Sequence, residues 1–263
     1  MEQPNRSKEV VMTVPTYLPY VVLIGIALSL VAILSGVNKA LAEASWPGSE
    51  RTKAMTLSAA VLLGWLAIAL GLSGAGFYHV AAEGIPTIQY GLFLPIVIGV
   101  LFVWRSELAQ RILDAVPQAW IVGVQFYRAL GVVFLMLYAA GKFPGLFALP
   151  AGIGDVAVGL SAPFVALAYA RNRHDNAGAV RAWNILGVLD LVVAVTMGFL
   201  TSPSAIAPIE VHPTSELITM MPMVMIPVYM VPLSILLHIA SLVKLHREQA
   251  CAAGCKETSR AVA

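Results

Sequence analysis

Charged side chains are scarce in this chain. Asp, Glu, Lys and Arg make up 11% of its 263 residues, where a soluble domain carries roughly 25%. A water-soluble globular protein is excluded, because too little polar surface remains to cover it. Cysteine is nearly absent too: Cys251 and Cys255 stand together near the end of the chain, so no disulfide framework exists. A basic excess is missing, since the net charge is only +2, and nothing recommends nucleic acid as a partner. The five histidines lack the pattern of a haem site. His79 and His212 fall at one boundary of the apolar runs and His174, His238 and His246 at the other, whereas a buried bis-His haem needs two at mid-membrane. No cofactor is expected.

What is abundant is apolar length. Mean hydropathy is +0.83, and seven runs approach the roughly 20 residues of helix that cross a bilayer. They fall at 17–37, 54–77, 88–104, 120–140, 149–170, 183–200 and 217–243. The expected fold is therefore an all-α integral membrane protein of seven transmembrane helices. A segment 1–16 precedes the domain at 17–243, and a tail at 244–263, frayed and then disordered, follows it. Ala40-Leu41-Ala42 has the small-x-small form of a signal-peptide cleavage site, but the apolar stretch before it exceeds a signal core of about 7–15 residues. The first run is kept as a helix.

Basic residues between the runs set the orientation. Lys39, Arg51, Lys53, Arg105, Arg111, Arg171, Arg173, Arg181, Lys244, Arg247, Lys256 and Arg260 gather on one side; Arg6, Lys8 and Lys142 occupy the other. The N-terminus is then outside and the C-terminus cytoplasmic, in the inner or plasma membrane of a bacterial-style cell.

Small residues predict where helices approach closely. One stripe is Gly25, Ser29, Ala32 and Gly36; a second is Ala60, Gly64, Ala67, Gly71 and Gly74. No inverted repeat of the kind found in many transporters is visible. In the last run Pro222, Pro227 and Pro232 predict a bent or partly unwound helix. The methionines around them (Met220, Met221, Met223, Met225 and Met230) are soft metal ligands by chemistry but read as core filler. No lysine lies within that helix as a retinal protein requires, since Lys244 is at its end. His79, Glu83, Glu210, His212 and Glu216 are the only grouping a metal would find at the outer boundary. They read as scattered solvated residues, and no metal site is assigned.

Four polar residues interrupt the runs: Gln125 and Arg128 in the fourth, Asp155 in the fifth and Asp190 in the sixth. Ionisable groups at such depth face the bundle interior and mark functional sites by default. Asp155 lies on the small-residue stripe Gly152, Gly159, Ala162, Ala166, and Asp190 on Gly187, Ala194, Gly198. Gln125, Arg128 and Gly131 are spaced by threes. At 1.5 Å of rise per residue, Arg128 and Asp190 come out level, while Asp155 stands one to two turns higher without a clear partner. One arginine and two carboxylates carry a formal −1, so one carboxyl is expected to be protonated or to hold a cation. Gly152-Ile153-Gly154-Asp155 also matches the GxGD string of intramembrane aspartyl proteases. In the presenilin-like group the partner aspartate precedes that string, where this chain has Arg128, and depth counting separates Asp155 and Asp190 by about 10 Å, too far for a shared-proton dyad.

The leading functional expectation is a small-solute or ion permease, with proton coupling through Asp155 and Asp190 and with Arg128 as counter-ion or anion contact. An enzyme acting on a lipid or hydrophobic substrate near Asp155, Glu210, His212 and Glu216 is the first alternative. A non-catalytic sensor or assembly subunit is the second. The bilayer is the one certain partner.

Overall fold

A computed structural model describes residues 16–79, 86–204 and 206–261. Arg6, Lys8 and Glu83 lie outside the described residues, as do the side chains of Cys255, Lys256 and Arg260. Among the described residues all regular secondary structure is helical, and seven helices are long and apolar enough to cross a membrane. They are Leu18–Glu43, Gly48–Gly74, Ile88–Arg105, Gln118–Ala139, Gly145–Arg171, Arg173–Leu200 and Ile226–Cys251, called here the first to seventh spans. Alternating direction brings Lys39, Arg51, Arg105, Arg171, Arg173 and Lys244 to one end of the bundle, the basic end.

The bundle is turned inside out relative to a soluble one. Large apolar side chains such as Phe164, Tyr20 and Trp104 are exposed on the outside, where hydrocarbon would meet them. Gln118, Gln125, Arg128, Asn184 and His238 are buried. Hydrocarbon tails solvate leucine as well as a protein core does, so helix association relies on close packing and interhelical hydrogen bonds instead.

The first small-residue stripe packs as expected. A side chain at Gly36 would meet Trp120 at Cδ1, 2.7 Å away, and one at Gly25 would strike Leu130. The second stripe does not. Gly64, Gly71 and Gly74 have nothing within 4 Å of where a Cβ would stand, and the second span instead turns Leu62, Trp65, Leu66 and Leu70 inward. Trp65 lies against Tyr229, ring centroids 4.5 Å apart, and the Tyr229 hydroxyl donates to the Leu62 carbonyl at 3.0 Å. Large side chains on this helix give more buried contact than its glycine face, so they take the interior position.

The first span runs on to Glu43 and the second begins at Gly48, beyond their apolar runs, and three later starts shift as well. The fifth span begins at Gly145 and the sixth at Arg173, earlier than hydropathy suggested, because both helices run on past their apolar cores. The seventh begins at Ile226 rather than near 217; residues Glu216–Thr219 form a separate 3₁₀ turn, and Ile226–Met230 form a π turn. The proline-rich segment is thus partly unwound, as its sequence implied, and Met223 and Met225 are fully buried in the core. The last helix does not fray after Val243 but continues through Val231–Ala261.

A short helix, Glu107–Ala115, lies between the third and fourth spans at the basic end, started by the Ser106 hydroxyl accepting from the Ala109 amide at 3.2 Å. Lys244 closes its other end. Its ammonium donates to the Leu113 and Asp114 carbonyls at 3.2 and 2.8 Å, satisfying carbonyls that a helix terminus leaves open.

Candidate functional site

The fourth span is an α-helix only at its ends. Val124–Gly131 is a 3₁₀ helix of eight residues, longer than the three or four residues at which such turns usually stop. In a 3₁₀ helix residues three apart eclipse one another, so Gln125, Arg128 and Gly131 stand in one line. All three are buried. The spacing by threes noted in the sequence thereby becomes a polar ridge facing the fifth, sixth and seventh spans.

Arg128 is the centre. Its Nε donates to Asp155 Oδ1 at 2.8 Å, and its Nη2 lies 2.7 Å from the same oxygen. Nη2 also donates to Asp190 Oδ2. Nη1 faces the Gly187 carbonyl at 3.3 Å and His238 Nε2 at 3.1 Å. Every nitrogen of the guanidinium is therefore committed within the protein. Each carboxylate, in contrast, keeps one oxygen, Asp155 Oδ2 and Asp190 Oδ1, without a hydrogen-bond donor among the described residues. Their side chains are 13% and 14% exposed, against 2% for Arg128.

This corrects the depth count. Asp155 is not left without a partner and does not stand above Asp190. Asp155 is ten residues from the start of its span at Gly145, and Asp190 ten residues from the end of its span at Leu200. Both helix ends lie opposite the basic end, so the two carboxylates are level, and they meet at one nitrogen rather than about 10 Å apart. A guanidinium between them makes two ion pairs, which is a different arrangement from the proton-sharing dyad of an aspartyl protease. The Arg128 guanidinium also has no nitrogen left without a partner inside the protein.

Glycines make the approach possible. A Cβ at Gly159 would collide with the Ala129 backbone and come 2.8 Å from the Arg128 carbonyl carbon; one at Gly131 would strike Asp155 Cβ, and one at Gly187 the His238 ring. Gly154, within the GxGD string, occupies the place where a side chain would strike Asp190 Oδ1. Charges at this depth cost about 2.5–3.5 kcal/mol each on insertion scales. Close pairing offsets that cost, and these glycines permit it.

His238 corrects a second expectation. It is not a boundary residue but fully buried, twelve residues into a span that starts at Ile226. Misplacing the start of the seventh span is what pushed it to the boundary. A guanidinium can only donate, so His238 Nε2 must accept from Arg128, which leaves the proton on Nδ1. Nδ1 then donates to Asn184 Oδ1 at 2.9 Å. The Gln125 amide nitrogen is placed 3.3 Å from Nδ1 while its Oε1 is buried with no partner. Exchanging the two ends of that amide would turn an acceptor toward the Nδ1 proton. Asn184 passes the network on to Ser241 Oγ at 2.8 Å, which accepts from Gln118 at 2.7 Å. A continuous polar chain thus runs from Asp155 toward the basic end. Asn184, Gln118 and Ser241 escaped the sequence reading because each sits near the edge of an apolar run, where a polar residue carries no signal.

Two cavities meet at Asp155. One, of about 50 Å³, lies in the bundle interior beside Arg128 and the Tyr127–Ser234 hydroxyl pair, whose oxygens are 2.8 Å apart. The other, of about 300 Å³, runs between the third and sixth spans toward the end opposite the basic one. Phe134, Leu191, Ile226 and Val231 line both, together with Asp155. Among the described residues no three His, Cys, Asp or Glu side chains gather as a metal site. Glu210 and His212 are exposed and lie beyond the end of the sixth span, well separated in depth from Asp155.

Fold and cluster together define a multi-pass helical membrane protein built around one buried arginine with two carboxylates. Residues 85–246, more than half of the chain, match the family described as Domain of unknown function (DUF8737), and the protein belongs to that family. The matched region takes in the third to sixth spans, nearly all of the transmembrane seventh and every residue of the polar cluster. No curated protein and no solved structure matches the chain.

Proposed function

We propose that the protein is a small-solute or ion permease of the inner cell membrane, oriented with its basic end in the cytoplasm, that exchanges a proton at Asp155 and Asp190. The observation that carries this reading is the position of Asp155. It stands at mid-span, walls both cavities, and keeps Oδ2 free of protein donors. A formal −1 charge surrounded by hydrocarbon needs a proton or a cation, and a carboxylate that both cavities reach can exchange one for the other. Arg128 holds the two carboxylates in place without itself meeting solute. The enzyme alternative loses support because Glu210, His212 and Glu216 line neither of the cavities that Asp155 lines.

The test is proton movement in proteoliposomes carrying a lumenal pH dye. Addition of a transported solute outside should change lumenal pH, and Asp155→Asn should abolish the change in protein that elutes as a folded species. Unaltered solute-dependent pH changes in Asp155→Asn overturn the reading.

A further inference from the structure

The 300 Å³ cavity has a chemistry of its own. Its walls are almost wholly apolar, with Phe134, Phe147, Leu92 and Ala194 among them. Gln89, Thr196 and Thr219 interrupt that surface, and two further polar features stand at its ends. Asp155 lies at the inner end with Oδ2 unpaired. Ser202, just past the end of the sixth span, lines the other end and has a buried hydroxyl with no partner among the described residues. Asp155 is level with Asp190, so helix rise puts these features roughly 15 Å apart along the bilayer normal.

The cavity also opens sideways. Along it the third span packs chiefly on the seventh, not on the sixth. Phe93 and Phe199, one on each side of the gap, are 58% and 38% exposed, and Thr196 beside Phe199 is exposed as well. Phe93 lies five residues inside the third span and Thr196 four residues inside the sixth, about 6–8 Å from the span ends, so the mouth opens on the lipid-facing side of the bundle. A solute entering there must dissolve in the bilayer. On reaching the floor it meets carboxylate oxygen and no free donor, since all three Arg128 nitrogens are engaged. At that floor an anion finds no contact, whereas a donor or a cation does.

We infer that this cavity takes a hydrophobic ammonium compound, which enters from the bilayer between the third and sixth spans and places its charged nitrogen on Asp155 Oδ2. The inference rests on the permease reading only for what happens afterwards; the binding site stands apart from it. Volume fits an occupant of modest size, because ligand pockets begin at about 300 Å³. Charge complementarity fixes the sign of the head, and the apolar wall fixes the body. An ammonium at Oδ2 brings the cluster to neutrality, with one cation for each carboxylate.

Phenethylamine is the probe, with 2-phenylethanol and 3-phenylpropionate as its neutral and anionic counterparts. Binding to the full-length protein is measured in nanodiscs of phosphatidylcholine and phosphatidylglycerol. Saturable binding of the amine is expected, with about thirtyfold or more weaker binding of the alcohol, the size of effect that follows loss of a buried charge contact, and none of the carboxylate. Asp155→Asn should reduce amine binding to the level of the alcohol. If that variant does not fold, Ala194→Phe carries the test: it fills the cavity while leaving both carboxylates in the chain, and should abolish binding of the amine and the alcohol. Adding phosphatidylethanolamine identifies the source of the ammonium. Competition with phenethylamine points to a lipid headgroup, and its absence to a free amine. Equal binding of amine and carboxylate, or amine binding unchanged by Ala194→Phe, overturns the inference. Amine binding without lumenal pH change sinks the permease reading alone, and pH changes driven by other solutes without amine binding sink this one alone.

Discussion

The Nη1 of Arg128 stands 3.1 Å from Nε2 of His238, and this contact dictates the state of the imidazole. Because the guanidinium supplies only donors, the ring must be neutral with its proton on Nδ1. Nitrogen NMR of histidine-labelled protein at neutral pH should therefore show one buried ring in the Nδ1–H tautomer. An imidazolium signal from His238 contradicts the network. Asn184→Leu removes the acceptor for that proton and should disturb this ring while leaving the exposed His174 unchanged.

Removing Arg128 leaves two carboxylates facing each other in hydrocarbon. Breaking a buried ion pair by deleting one partner costs about 3–5 kcal/mol, so Arg128→Leu should sharply reduce folded yield in size-exclusion assays. Because the arginine serves both aspartates, Arg128→Leu with Asp190→Leu should recover only part of the loss. Full recovery is expected when Asp155→Leu is added. If the double change already restores wild-type yield, Asp155 is not a true partner of Arg128.

Two glycine substitutions separate packing from flexibility. A methyl at Gly159 runs into backbone of the fourth span, which cannot rotate away, and overpacking of this kind costs about 1–3 kcal/mol. At Gly64 there is open space, and alanine should be neutral or stabilise the helix by up to about 1 kcal/mol. Thermal melting in detergent should thus lower Tm for Gly159→Ala and leave or raise it for Gly64→Ala. The reverse order contradicts the assigned interfaces.

Lys244 is buried with its ammonium on two carbonyls of the short basic-end helix. Lys244→Met keeps the stem and removes the donors, at about 1.5–3 kcal/mol for hydrogen bonds to a charged group. Hydrogen exchange should quicken across residues 107–116 and stay unchanged in the fifth span. Uniform quickening would mean that the lysine supports the bundle as a whole instead.

Much of this architecture was legible because membrane physics writes it plainly: a helix must be apolar to cross, and Arg128, Asp155 and Asp190 stand out against that background. The ridge of Gln125, Arg128 and Gly131 was visible for the same reason. What stayed hidden depended on where helices begin. A hydropathy run marks the apolar part of a helix and not its ends, so Asp155 appeared too shallow and His238 too peripheral. The second glycine stripe misled for another reason. Small residues permit close approach but do not compel it, and on that helix Trp65 and its neighbours had more surface to bury.

The 3₁₀ turn in the fourth span carries a last consequence. Eight residues at about 2.0 Å of rise cover about 16 Å, where an α-helix would cover about 12 Å. The span is stretched by nearly one residue's length on either side of Arg128, and the arginine is tied to two other helices by its carboxylates. Rewinding that turn would slide the guanidinium along the bundle axis and force the fifth and sixth spans either to follow it or to let go. The ion pairs thus work as a caliper, reading the length of one helix against the positions of two others.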